Sequence, residues 1–428
     1  MMRRPLLILA LLLLQPCASL AALRVDVTSG VSGAIPIAIA PFEGGQNLPV
    51  DIASVVDQDL ASTGQFKVLP RGDMLERPAS AQAVKFENWR SVKVDNLVVG
   101  VIQPLPDGSL KVRFEILDVY KGGKLAGYEV TSKGGPALRY TAHKIADLIY
   151  QKLTGLPGYF TSRIAYVTTS GTGWKTKYSL VVADQDGFNP RTIATADDVI
   201  MSPSWSPDGR KLAYVAFRNG RAEIYVHELA TGQATRASSR PGINGSPAWS
   251  PDGRYLAMTL SHAGSPDIYI HDLQTGQQRR ITESRAIDTE ASWAPDGKSL
   301  VFTSDRGGRP QLYRVSVNGG NAERLTFDGK SNQRGLFSPD GKLLAMVHEG
   351  NKGYRIAVLD LANGGLSVLS DGPLDESPGF APNGQSIIYA RAAGNGAELA
   401  TISVDGRVQR RLSQPGTVRE PAWSPTGK

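Results

Sequence analysis

The chain is 428 residues long, 41% hydrophobic and 20% charged, with 46 glycines, 27 prolines, one cysteine and a formal net charge of +7. That length is enough for two or three domains or one large repeat array, and 7% aromatic content with mixed charge excludes a disordered or fibrous chain. A single cysteine excludes a disulfide scaffold, a cysteine-based zinc site and a CxxC redox pair.

Residues 1–21 read as a secretory signal peptide: basic Arg3 and Arg4, an apolar run from Leu6 to Leu14, and a small-residue exit at Ser19, Leu20 and Ala21. Cleavage is expected between Ala21 and Ala22. The apolar run is too short to span a bilayer, and no later stretch approaches 18 continuous apolar residues, so no membrane span is predicted for the mature chain. Cys17 follows Pro16 rather than the small residues a lipidation site needs, and it is expected to leave with the peptide. Lys and Arg are scattered rather than blocked, which argues against a nucleic-acid partner.

Residues 22–155 read as a mixed α/β domain. Strands are predicted over 23–27, 35–40, 96–102 and 111–119, the last two flanking the turn at Pro106, Asp107 and Gly108. Helical spacing of Ile52, Val55, Val56 and Leu60 places a helix over 51–62, stopped by Gly64, and a second amphipathic helix covers 140–153 and ends at Gly155. Residues 156–162, opening on Leu156, Pro157 and Gly158, are expected to form a hinge.

From residue 163 to the end one pentapeptide type returns six times: Trp205-Ser-Pro-Asp-Gly209, Trp249-Ser-Pro-Asp-Gly253, Trp293-Ala-Pro-Asp-Gly297, Phe337-Ser-Pro-Asp-Gly341, Phe380-Ala-Pro-Asn-Gly384 and Trp423-Ser-Pro-Thr-Gly427. The aromatics stand 44, 44, 44, 43 and 43 residues apart. Pro presets φ at the second turn position, Asp bonds back to the backbone, and Gly accepts the positive φ that ends the turn. Each is followed by an apolar segment, an alternating strand, a second turn marker such as Thr231-Gly232 or Asp405-Gly406, and a short polar edge strand. Four short strands per repeat is the unit of a β-propeller blade. The last pentapeptide has nothing after it, while Arg163–Val167, Tyr178–Val182 and Asp186-Gly187 lack one in front. Joining the two ends makes a sixth blade, so the expected fold is an α/β N-terminal domain followed by an all-β six-bladed propeller, residues 163–428, closed by its C-terminal strand.

Candidate chemistry is sparse. No Gly-x-Ser-x-Gly elbow, HExxH pair or Asp-rich calcium loop occurs, and the histidines, His143, His227, His262, His271 and His348, have no ligand spacing. No cofactor or metal is expected. The repeated aromatics are read as packing between blades and the repeated Asp-Gly pairs as turn residues. Function is expected where repeats differ, three and four residues before each aromatic: Met201-Ser202, Gly245-Ser246, Thr289-Glu290, Gln333-Arg334, Glu376-Ser377 and Arg419-Glu420. With Asn244, Asp288, Asn332 and Asp375 beside them, these predict a channel mouth rimmed by both charges, suited to a protein partner. A periplasmic hydrolase of sugars or peptides is the alternative, and it lacks a matched acid and base.

The chain resembles the TolB family, periplasmic β-propeller proteins of the Tol-Pal system. The resemblance runs from Leu23-Arg-Val-Asp-Val-Thr-Ser-Gly30 through Arg163-Ile-Ala-Tyr-Val167, Met201 to Gly209, Thr303-Ser-Asp305 with Gly308-Arg-Pro-Gln311, and Pro421 to Pro425. It implies a non-enzymatic, monomeric adaptor between the outer-membrane lipoprotein Pal and the inner-membrane TolA-TolQ-TolR complex, which supports outer-membrane integrity and constriction at cell division; other outer-membrane proteins are further candidate partners. Pal is expected at the channel mouth, at Met201, Asn244, Thr289, Glu290, Arg334, Glu376, Arg419 and Glu420. TolA is expected at the mature N-terminal segment, Ala22, Leu23, Arg24, Val25, Asp26 and Val27, which otherwise folds back. Some members carry a His where this chain has Gly242-Ile243-Asn244, a departure from the family pattern at the mouth.

Overall fold

The computed structural model describes residues 24–27 and 33–425 except 172, 395 and 413; the expected signal peptide, its cleavage point, Ala22 and Leu23 lie outside the described residues. Within the N-terminal domain, alternate residues of each strand face opposite sides. Ile37 and Ile39 join Val98, Phe114 and Ile116 on one face, and Ala38 and Ala40 join Leu97, Val99 and Leu117 on the other. The sheet runs in the order 66–68, 35–39, 96–104, 110–118, 123–132, parallel across its first two pairings and antiparallel thereafter. Helix α1 (Ile52–Ser62) begins at Asp51, whose carboxylate accepts the Ser54 N–H at 3.1 Å. The short α2 (Phe86–Ser91) covers the second face through Trp89. Helix α3 (Ala137–Thr154) stops at Gly155, left-handed at φ +77°, and packs on the first face with α1.

The remaining strands form six four-stranded antiparallel blades. Blade 1 unites the two ends of the repeat: its innermost strand, Thr417–Trp423, pairs with Arg163–Ser170, followed outward by Lys177–Asp184 and Arg191–Ala196. Blades 2 to 6 open on innermost strands Ile200–Trp205, Asn244–Trp249, Asp288–Trp293, Ser331–Phe337 and Asp375–Phe380. The closing strand is thus the last segment of the repeat.

The first five pentapeptides form the expected turn, while the end of the sixth lies outside the described residues. In blade 2, Gly209 N donates to Ser206 O at 2.8 Å, with Gly209 at φ +67°. The Ser206 hydroxyl accepts from Lys211 N at 2.8 Å, and Asp208 accepts from Arg210 N at 3.0 Å. The tryptophans fasten neighbouring structure: Trp205 donates its indole N–H to Ala422 O at 3.1 Å, Trp249 to Ser204 O at 3.2 Å and Trp293 to Ala248 O at 3.0 Å, each in the preceding blade.

Two segments sit differently from their sequence reading. Arg24–Val27, expected among the strands of the first domain, instead pairs antiparallel with Val408–Arg411 and extends the outer edge of blade 6. Residues 156–162, expected as a hinge, are bolted down: Tyr159 and Phe160 are buried, their rings packing on Trp423 and Tyr150. Asp147 of α3 accepts from Phe160 N at 2.7 Å. The apolar side chains that would make a free link adhesive are used to weld it, so one hydrophobic core runs from Ile37, Leu60 and Ile145 to Ile164, Leu399 and Leu412 of the propeller.

Candidate functional site

All six innermost strands carry the same irregularity. Pairing with the second strand shifts register three residues before each aromatic, and the residue there is left-handed although none is glycine: Glu420 at φ +50°, Ser202 at +52°, Ser246 at +48°, Glu290 at +55°, Arg334 at +54° and Ser377 at +58°. Such a conformation costs an ordinary residue about 1 kcal/mol. It persists because each bulge re-aims one side chain into the channel, where all six line a cavity of about 390 Å³.

Arg334 of blade 5 organises this ring. Its Nε donates to Glu290 Oε1 of blade 4 at 2.9 Å, Nη2 to Glu420 Oε2 of blade 1 at 3.1 Å, and Nη1 to the Ser377 hydroxyl of blade 6. Its backbone N–H donates to Thr303 Oγ1 at 3.0 Å, and the Ser202 N–H of blade 2 donates to Glu420 at 2.6 Å. Burial alone would lower the pKa of the guanidinium, but Glu420 and Glu290, with Glu376 beyond them, more than offset it and raise the value. Five of the six blades are thereby tied across the lumen.

The expected rim residues divide into three groups. Glu290, Arg334 and Glu420 line the channel. Met201, Thr289 and Glu376 are half-buried on the strands beside it, and Arg419 is exposed. Asn244, Asp288, Asn332 and Asp375 are fully buried rather than rimming the mouth. They begin their strands facing inward and hold the connecting loops: Asn244 accepts from Ser238 Oγ at 2.7 Å and donates to Arg240 O at 2.6 Å, while Asp288 accepts from Ser304 Oγ at 2.6 Å and Arg306 Nη2 at 2.7 Å. The Asn244 side chain is consumed by its own loop. What projects from these loops instead is apolar: Ile243, Ile287 and Leu374, each immediately before a buried loop-holder, are 48%, 51% and 48% exposed, and Phe327 is 72% exposed. Four apolar side chains crown the mouth on consecutive blades, a feature that polar rim reasoning passed over. For Ile243, Ile287 and Leu374 the sequence signal is an apolar residue directly preceding Asn or Asp at the head of an inner strand; Phe327 lies earlier in its loop, before the strand Ser331–Phe337.

A second polar cluster lies between the domains. His143 of α3 meets Asp59 of α1 with Nδ1 and Oδ2 2.6 Å apart, and Gln185 donates to the other Asp59 oxygen at 3.0 Å. Asp186, bonded by Arg139, completes a trio whose potential ligand atoms lie within 4.8 Å of one another. The positive charge that such carboxylates need is already present in Arg139 and the buried Arg410, and the His143 nitrogen nearest Asp59 is spent on it, so the trio fits an ion network better than a metal. Burial opposes protonation of His143, but Asp59 and Asp186 outweigh it and push the pKa up to about 9. His227, His271 and His348 are buried on blades, and burial lowers the pKa of each.

Residues 23–125 match the TolB amino-terminal domain and residues 150–427 the TolB beta propeller domain. The chain belongs to the TolB family. It is 59% identical over 411 residues to the Tol-Pal system protein TolB of Nitrosococcus oceani, spanning 95% of this chain and 94% of the relative. To the Tol-Pal system protein TolB of Methylococcus capsulatus it is 58% identical over 412 residues, spanning 96% and 95%. The crystal structure of TolB from Acinetobacter baumannii is similar at a TM-score of 0.86 and 40% identity, covering 94% of this chain and all of that one. A likeness to a nidogen/laminin complex, at 13% identity and a TM-score of 0.51 over 62% of this chain, concerns the propeller fold alone. Among the described residues no helix is long and apolar enough to cross a membrane.

Proposed function

We propose that this TolB family member is a non-enzymatic periplasmic adaptor that takes the lipoprotein Pal at the channel mouth and TolA at its N-terminal segment, so supporting outer-membrane integrity and constriction at division. The observation carrying the docking reading is the mouth itself. Six equivalent backbone positions present six chosen side chains inside a crown of Ile243, Ile287, Phe327 and Leu374, an exposed apolar surface with polar neighbours of the kind protein interfaces use. Thr289, Glu376 and Arg419 supply the polar surroundings, and half-buried Met201 adds a further apolar side chain beside the channel.

The N-terminal segment supports the second contact. Arg24–Val27 is an outermost strand, held to the protein by pairing with Val408–Arg411. Released, it is a short extended peptide able to add to the sheet edge of a partner such as TolA. A hydrolase would need an acid and a base free to act on substrate, and the channel carboxylates Glu290 and Glu420 are both engaged by Arg334. Capture from a periplasmic extract by the immobilised mature protein, followed by mass spectrometry, tests the reading. Recovery of Pal and TolA is expected; turnover of glycan or peptide with neither partner recovered would replace the adaptor by the hydrolase.

A further inference from the structure

Arg334 was expected to contact the partner directly, yet each of its guanidinium nitrogens is already bonded within the chain, to Glu290, Ser377 and Glu420 on three different blades. Glu420 belongs to the strand that closes the ring, and Glu290 follows Thr289 at the mouth. The three carboxylates acting on this guanidinium are Glu290, Glu376 and Glu420, one each from the inner strands of blades 4, 6 and 1; the remaining groups bonded in the network are the uncharged Ser202, Thr303 and Ser377. Like charges converging on one lumen cannot all stay ionised without a counter-charge. The guanidinium fork, with donors diverging in one plane, meets this geometry in a way that a lysine ammonium does not.

We infer that Arg334 is the positioning residue of the mouth: it gathers Glu290 and the closing strand's Glu420 onto one guanidinium, and so sets the shape a docked protein meets without touching that protein. The inference deepens the docking proposal above and rests on it. A purely local packing role would predict a variant that is less stable but binds normally once folded. A positioning role predicts a binding defect with the signature of unneutralised carboxylates.

The test uses the full mature chain and purified, delipidated Pal as the probe, at a temperature well below the melting transition of every variant. Arg334→Met is expected to weaken Pal binding at about pH 8 by roughly tenfold or more, because two facing carboxylates then repel. Lowering the pH to about 5.5 lets one of them take a proton, and the gap from wild type should shrink to within about threefold. The double variant Arg334→Met/Glu420→Gln should recover binding at pH 8, and Arg334→Lys should fall between. Wild-type binding by Arg334→Met at pH 8 would overturn the inference, as would a loss that neither acid nor Glu420→Gln reverses. If wild type itself fails to bind Pal, the docking proposal falls. The inference is then read from melting temperatures, where Arg334→Met must lie further below wild type at pH 8 than at pH 5.5; an equal gap would overturn it.

Discussion

The two faces of the propeller are built from the same six repeats and could hardly differ more in chemistry. On the turn face, Ser206, Ser250 and Ser338 each cap the same five-residue loop, accepting from Lys211, Tyr255 and Leu343 N at 2.8 to 2.9 Å, and the aspartates two residues later make matching bonds. On the mouth face the backbone repeats just as faithfully, φ +48° to +58° at all six bulges, while the side chains run Glu, Ser, Ser, Glu, Arg, Ser. Where side chain and backbone repeat together, the residue serves the fold. Where the backbone repeats and the side chain does not, a scaffold is holding out something chosen.

That contrast can be broken from either face. The largest effect is expected from removing residues 417–428, which takes away the closing strand with its pairing to Arg163–Ser170 and Trp423 with its contact to Ser162. The melting temperature should drop by at least about 10 °C, or the chain should fail to fold; an unchanged circular-dichroism melt would refute ring closure. Next in size is His143→Gln, remote from both faces, expected to cost about 3 kcal/mol at pH 7 by leaving Asp59 and Asp186 short of positive charge. Because the folded pKa of about 9 lies above the unfolded value near 6.5, the stabilisation is complete below about pH 6.5 and is lost as pH rises through 9. Denaturation curves of wild type and variant should therefore converge above that pH.

On the turn face, Asp252→Ala should cost about 1 kcal/mol and leave Pal binding untouched, since it removes bonds to Ser250 and Arg254 N but nothing at the mouth. The Ser250 hydroxyl holds the Asp252 carboxyl below the usual carboxylate range, so its contribution is present above about pH 4 and fades as pH falls through the lowered value. The smallest effect is expected from Asp296→Ala. Its turn has Ala294 in place of the serine, so only the bond from Lys298 N at 2.9 Å is lost, and urea titration should show a change of under about 1 kcal/mol.

How much could be read in advance follows the same division. The turns and the blade count were legible because Pro, Asp and Gly act within five residues, by φ preference and local hydrogen bonds. The bulges were not, since Ser202, Glu290 and Arg334 have no intrinsic liking for the left-handed backbone they adopt, and no glycine marks the position. Asn244 and Asp288 were found at the right height but given the wrong direction, inward loop-holders mistaken for rim, because a bulge resets the alternation that normally tells the two faces of a strand apart. The strand at 123–132 was missed for its sparse apolar content, with Gly123, Lys124, Gly127 and Glu129 along its exposed edge. Nothing local joins Asp59, His143 and Asp186, which meet only after the two domains share a core.

Charge reversal at Glu290 would test the mouth poorly, since a lysine there would face Arg334 and disturb fold and docking together. The exposed crown separates them. Binding of purified Pal to the double variant Ile287→Ser/Phe327→Ser, measured by calorimetry beside wild type, is the direct test. Affinity lowered by at least about tenfold is expected, with the melting temperature held within about 4 °C, since both side chains are exposed and the Arg324 guanidinium over the Phe327 ring is a surface contact of about 1 kcal/mol or less. Equal affinity for Pal in the two proteins would contradict this expectation.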